Sequence, residues 1–157
     1  SMNLSITSKA FSHNGEIPTQ YTCEGADIAP PLSFGGIPKT AKTVALIMDD
    51  PDAPDPKAPK MTWVHWVLAG IPASATELPE GGKPLPAGTR EGRSSWNRTG
   101  YGGPCPPIGR HRYFFKLYAL DSDLADLKSF NKDQLLAAMK GHILAEAELI
   151  GTYQKKK

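Results

Sequence analysis

Cysteine is scarce in this chain of 157 residues, which has only Cys23 and Cys105. Two thiols without Cys-x-x-Cys spacing exclude a multi-disulfide framework and a cysteine zinc site. They leave two readings, a single bridge or two small buried thiols. No stretch approaches 18 consecutive apolar residues, which argues against stable membrane insertion, and the chain does not open with a charged segment and apolar run of the signal-peptide kind. An excess of one charge is also missing: 18 basic and 16 acidic residues give a net charge of +2. The only basic run is Lys155-Lys156-Lys157, which reads as a solubilising tail and not as a nucleic-acid surface. There is no Walker loop, no Gly-x-Gly-x-x-Gly turn after a strand, and no Gly-x-Ser-x-Gly elbow around Ser94 or Ser95. The sequence therefore implies no nucleotide cofactor and no serine hydrolase.

What the chain has in quantity is turn chemistry. Fifteen prolines and 15 glycines cluster around residues 30–36, 51–59, 79–88 and 100–109. Such segments are ordered loops, because proline removes unfolded-state freedom and glycine admits unusual backbone angles. Between them, alternation and β-branched or aromatic enrichment predict strands over residues 3–8, 44–48, 62–68 and 113–120. One helix is predicted near residues 131–141, capped by Asn131, with Leu135, Leu136 and Met139 at helical spacing and Gly141 as its stop. Residues 143–153 fit a last strand or a second helix, with a strand near residues 147–153 favoured. No linker or repeat divides the chain, so residues 1–157 read as one mainly β domain, with Ser1 ahead of Met2 as an expression remnant. The default compartment is cytoplasmic, or periplasmic if a native signal peptide was removed.

Three pieces carry chemistry. In Asp49-Asp50-Pro51-Asp52-Ala53-Pro54, proline holds Asp50 extended at a strand end, where its side chain projects into a crevice. Asp52 follows in a turn where carboxylates bond nearby amides. In Trp63-Val64-His65-Trp66-Val67-Leu68, alternation puts Trp63, His65 and Val67 on one face and Val64, Trp66 and Leu68 on the other. His111 opens a strand and shares a side with Tyr113, and the glycines at 102 and 103, before Pro104, suggest successive free amides that can form an anion nest. Asp50 beside the two histidines favours imidazolium, so His65 and His111 would offer charge-assisted donors of about 1.5–3 kcal/mol each to a phosphate or carboxylate. Affinity for such an anion is then expected to fall as pH rises through the histidine range. A metal triad lacks helical His spacing. Cys105 and His111 as thiol and base lack an orienting third group.

These residues, taken in order, resemble the phosphatidylethanolamine-binding protein family, in particular its bacterial and archaeal Raf-kinase-inhibitor-like branch. The resemblance runs through Tyr21-Thr22-Cys23-Glu24-Gly25, Pro30-Pro31-Leu32, the segment from Asp49 to Pro54, and His65-Trp66-Val67-Leu68. It continues through residues 100–107, His111-Arg112-Tyr113 and residues 141–149. It implies a β-sandwich of two antiparallel sheets with a few peripheral helices, and a shallow pocket for phosphoryl groups or other small oxyanions. By motif, Asp50, His65, His111 and Tyr113 are the pocket residues, and Trp63, Gly102, Gly103 and Pro104 the rim and amide-bearing loop. It further implies a non-catalytic binding protein without a cofactor or bound metal, often a homodimer, that modulates a kinase or other partner. The alternative is a serine-protease inhibitor acting through surface loops, with a vestigial pocket. Two departures stand out. In Ser94-Ser95-Trp96-Asn97, Ser94 stands where the family commonly has asparagine and Asn97 where it has glycine, although asparagine tolerates a left-handed backbone. Ala69-Gly70 replaces a larger pair after the His65 strand.

Overall fold

The computed structural model describes residues 3–157, so the expectation made for Ser1 lies outside the described residues. Its strands are β1 (Ser5–Thr7), β2 (Gly15–Glu16), β3 (Leu32–Gly35), β4 (Thr43–Ala53), β5 (Met61–Pro72), β6 (Glu77–Leu78), β7 (Arg90–Glu91), β8 (His111–Leu120) and β9 (Ile143–Tyr153). One α-helix, α1 (Lys132–Met139), lies between β8 and β9. The strands form a small sheet in the order β1-β3-β6 and a large one in the order β2-β9-β8-β4-β5-β7. Pairing is antiparallel throughout, apart from the two-residue contact of β2 with β9. This is the two-sheet, mainly β architecture expected from the sequence.

The apolar run in β4 is continuous because the large sheet is covered on both sides. Val44, Leu46 and Met48 pack with Leu32 and Phe34 of the small sheet, while Ala45 and Ile47 pack with Phe130, Leu135 and Met139. Asn131 caps α1 through a capping box: its side chain accepts the Gln134 amide and the Gln134 side chain accepts the Asn131 amide, each at 2.9 Å. Leu135 and Met139 are buried, one turn apart, whereas Leu136 points outward. The open segment near the C-terminus is a strand, and it begins at Ile143. The short strands β2, β3, β6 and β7 carry too few residues to show a period.

Strict alternation fails in β5. Met48 pairs with Trp66 but Asp49 pairs with Val64, so His65 is an extra residue opposite no partner. An inserted residue resets the pleat. As a result Trp66 and Leu68 join the inter-sheet core while Val64 and Val67 pack together on the helix side. The expected pairing of Val67 with Trp63 and His65, and of Val64 with Trp66, is thereby corrected. A second slip lies between Val44 and Leu46, opposite the Ala69-Gly70 stretch. Gly70 there has φ +73°, and a Cβ on it would stand 2.7 Å from the Gly88 carbonyl oxygen. Gly81 has φ +85° but open space around it. We expect Gly70→Ala to lower unfolding free energy by about 2–4 kcal/mol in urea titrations, from strain plus clash, and Gly81→Ala by about 1–2 kcal/mol from strain alone.

Candidate binding site

Where β4, β5 and β8 end together, a cavity of about 370 Å³ opens. Asp50, His65, His111 and Tyr113 form its floor; Trp63, Met61, Trp96, Ala53, Pro54, Cys105, Pro106 and Pro107 surround them. The β4–β8 ladder stops at Asp49 opposite Phe114, beyond which Pro51 has no N–H to offer. Side chains take over from the backbone. Asp50 Oδ2 pairs with His111 Nδ1 at 2.6 Å, and Oδ1 accepts the Asp52 amide at 2.7 Å. Asp52 accepts the Arg112 backbone amide at 2.9 Å and is clamped by its guanidinium at 3.0 and 2.8 Å. That guanidinium holds the Asp52 carboxyl below its ordinary range. Burial pushes the Asp50 carboxyl up, against the opposing pull of His111 and the Asp52 amide.

Both ring nitrogens of His111 are engaged, since Nε2 also meets the Ile108 carbonyl at 2.8 Å. A carbonyl only accepts, so Nε2 carries hydrogen, and the ring is fixed between Asp50 and Ile108. His65 is held differently. Its Nδ1 donates to the Gly102 carbonyl at 2.7 Å, which leaves the Nε2 lone pair toward the cavity. Burial pushes its pKa down to about 4, outweighing the Gly102 carbonyl that favours the charged ring. The expectation that Asp50 keeps both histidines charged is corrected on this point. Of the two histidines the carboxylate bonds only His111, and buried His65 meets a peptide oxygen instead.

The loop amides are also used differently from expectation. Gly102 N–H donates to the His65 carbonyl at 3.2 Å and Gly103 N–H to Asp27 Oδ1 at 2.8 Å. No open nest forms, and Gly102, Gly103 and Pro104 back the wall without lining it. The Pro104 carbonyl accepts the Cys23 amide at 3.1 Å, and Cys23 is bridged to Cys105 by a disulfide. The cysteines thus take the paired one of their two readings, and Cys105 has no thiol to act with His111.

Trp96 is a wall residue that sequence reasoning passed over. Its ring stands edge-on to His65 at 5.0 Å and to Trp63 at 5.6 Å. A tight turn aims it there: Asn97 takes φ +59° and donates its amide to the Ser94 carbonyl at 2.9 Å. The tolerance of Asn97 for a left-handed backbone was the available signal. Tyr113 stands edge-on to His65 at 5.2 Å. Burial, with the negative charge of Asp50, pushes its hydroxyl far above the ordinary range, so it remains an O–H. Among the described residues that hydroxyl makes no hydrogen bond, nor does His65 Nε2. No group of three His, Cys, Asp or Glu side chains suited to a metal ion occurs among the described residues, and no helix there is long and apolar enough to cross a membrane.

Residues 7–154 match the model of the family described as phosphatidylethanolamine-binding protein. The chain belongs to that family. A UPF0098 protein of Methanothermobacter thermautotrophicus is 47% identical over 156 residues, covering 97% of this chain and 99% of its own. The crystal structure of a phosphatidylethanolamine-binding protein homologue from Chlamydia trachomatis superposes with a TM-score of 0.92 at 42% identity, covering 99% of this chain and all of the other. Escherichia coli YbcL, described as a member of the mammalian family, gives a TM-score of 0.87 at 30% identity with the same coverage.

A histidine kept neutral by the fold makes stability depend on pH. The unfolded chain protonates His65 near 6.5, whereas the folded chain resists until about 4. This contribution is therefore complete above pH 6.5 and is lost as pH falls toward 4, on the order of 3 kcal/mol in all. Denaturation of the protein and of His65→Gln at pH 7 and pH 4.5 should show the steeper loss in the parent; equal losses would contradict the neutral assignment.

Proposed function

We propose that the protein is a non-catalytic binding protein whose cavity accepts a small oxyanion-bearing ligand: a phosphorylated small molecule, a phospholipid head group or a phosphoprotein. The observation that carries this reading is the convergence of His65 Nε2 and the Tyr113 hydroxyl, both without protein partners, on one cavity. Asp50 and His111 complete the same floor by bonding each other. Support for binding over turnover comes from the same geometry, because Cys105 is bridged and both His111 nitrogens are bonded to protein acceptors. Occupancy would then modulate a partner such as a kinase, and the protein would act as a homodimer. The disulfide favours an oxidising compartment over the cytoplasm.

A second reading, inhibition of a serine protease through surface loops, draws on exposed apolar side chains around the cavity. Met61 is 48% exposed on the rim, and Ile108, in the loop that backs His111, is 54% exposed. An NMR titration with O-phosphoethanolamine separates the two. Under the binding reading, saturable shifts are expected in the His65 ring and the Trp63 and Trp96 indoles, and His111→Ala should abolish both ligand and partner binding. Absence of any shift up to millimolar ligand, with inhibition of a protease surviving His111→Ala, would favour the loops.

A further inference from the structure

The cavity has an unexpected balance of charge for a site that takes oxyanions. No lysine or arginine lines it, and a carboxylate, Asp50, does. The two loop amides behind its wall, at Gly102 and Gly103, are already donated to protein oxygens. Both His111 nitrogens face acceptors of the protein itself. What remains on the floor for a ligand is the Tyr113 hydroxyl as donor and one lone pair, at His65 Nε2; the indoles of Trp63 and Trp96 on the walls add only neutral donors. That lone pair is fixed in place because the Gly102 carbonyl can only accept and so keeps the ring hydrogen on Nδ1. An oxyanion with no hydrogen of its own would set oxygen lone pairs against Nε2 and a negative charge near Asp50.

We propose that this pocket takes its oxyacid together with one proton and discriminates against fully ionised oxyanions, with His65 as the residue that sets the specificity. The inference rests on the oxyanion reading of the cavity. In the bound state one ligand oxygen accepts from the Tyr113 hydroxyl and another shares a hydrogen with His65 Nε2. Whether that proton resides on the ligand oxygen or on Nε2, the count is one per ligand, delivered by the ligand below its own pKa and taken from solvent above it. The charged and titratable groups around His65 are consistent with this. β4 contributes Asp50 on the cavity side, with Asp52 beyond it, and Asp49 through the opposite face. β8 contributes His111 and Tyr113. From the long loop before β8, Trp96 is neutral, Cys105 is bridged, and Arg98 stacks over Trp96 at 5.1 Å without joining the lining. Burial of His65 keeps the empty site unprotonated near neutrality.

Isothermal titration calorimetry of the intact, disulfide-bonded protein with O-phosphoethanolamine and with sulfate, each from pH 5 to pH 8, tests this. A phosphomonoester loses its second proton near pH 6, whereas sulfate stays fully ionised throughout. The expected result is phosphomonoester affinity that falls by about tenfold per pH unit above its pKa, with one proton taken up, measured from the change of heat between buffers of different ionisation enthalpy. Sulfate should bind at least about tenfold more weakly than the phosphomonoester at pH 5. In His65→Gln, whose amide can either donate or accept, the two anions should approach equal affinity and the pH slope should flatten. Comparable, pH-independent binding of both anions to the parent without proton uptake would overturn the proposal and leave the oxyanion pocket standing. Binding of neither anion would overturn the pocket reading and this inference with it.

Discussion

One inserted residue in β5 makes the cavity and the core compatible. Trp66 must lie in the inter-sheet core and His65 must reach the cavity, which opens on that same side of the sheet. A regular pleat sends neighbours to opposite faces. By pairing Asp49 with Val64 and Met48 with Trp66, the strand leaves His65 outside the ladder count and keeps both side chains on one side. Without that slip, either the imidazole or the indole would turn toward the layer of Phe130, Leu135 and Met139.

The adjacent aspartates of β4 show the pleat working as expected. Asp50 enters the cavity, while Asp49 is driven through the other face, fully buried, where Lys132 at 2.8 Å and Lys116 at 3.3 Å meet one of its oxygens. Two carboxylates one residue apart thus occupy separate electrostatic environments. The back face has long cationic side chains that reach in from solvent. The cavity face has only a histidine and a peptide bond to balance its aspartate, and for this reason it is poor in fixed positive charge.

Much of this was legible in the sequence, and the pattern of what was not is physical. The long strands, the capped helix and the grouping of Asp50, His65, His111 and Tyr113 follow from periodicity, from proline beside aspartate, and from motif order. The continuation of β4 past Pro51 was hidden because Asp50 and Asp52 hold that stretch through side-chain bonds that no periodicity records. The face of Trp66 was hidden because a bulge leaves no compositional mark. The use of the Gly102 and Gly103 amides depended on Asp27 and on the His65 carbonyl, groups brought together only by folding. Trp96 reaches the cavity from a turn whose one sign in the sequence is Asn97. The pairing of Cys23 with Cys105 joins residues separated by 82 positions, a distance over which spacing says nothing.

The cavity is consequently built from two materials. Its floor belongs to β4, β5 and β8, whose amides open only when the central sheet does. Its loop wall is fastened instead to the segment around residues 21–27, through the disulfide, the Gly103 bond to Asp27 and the Tyr101 hydroxyl bond to the Tyr21 carbonyl. A ligand that touches both floor and wall ties a deep cooperative unit to a shallow one. Its occupancy is then felt beyond the cavity, as slower opening of the chain around Asp27 on the outer side of that wall.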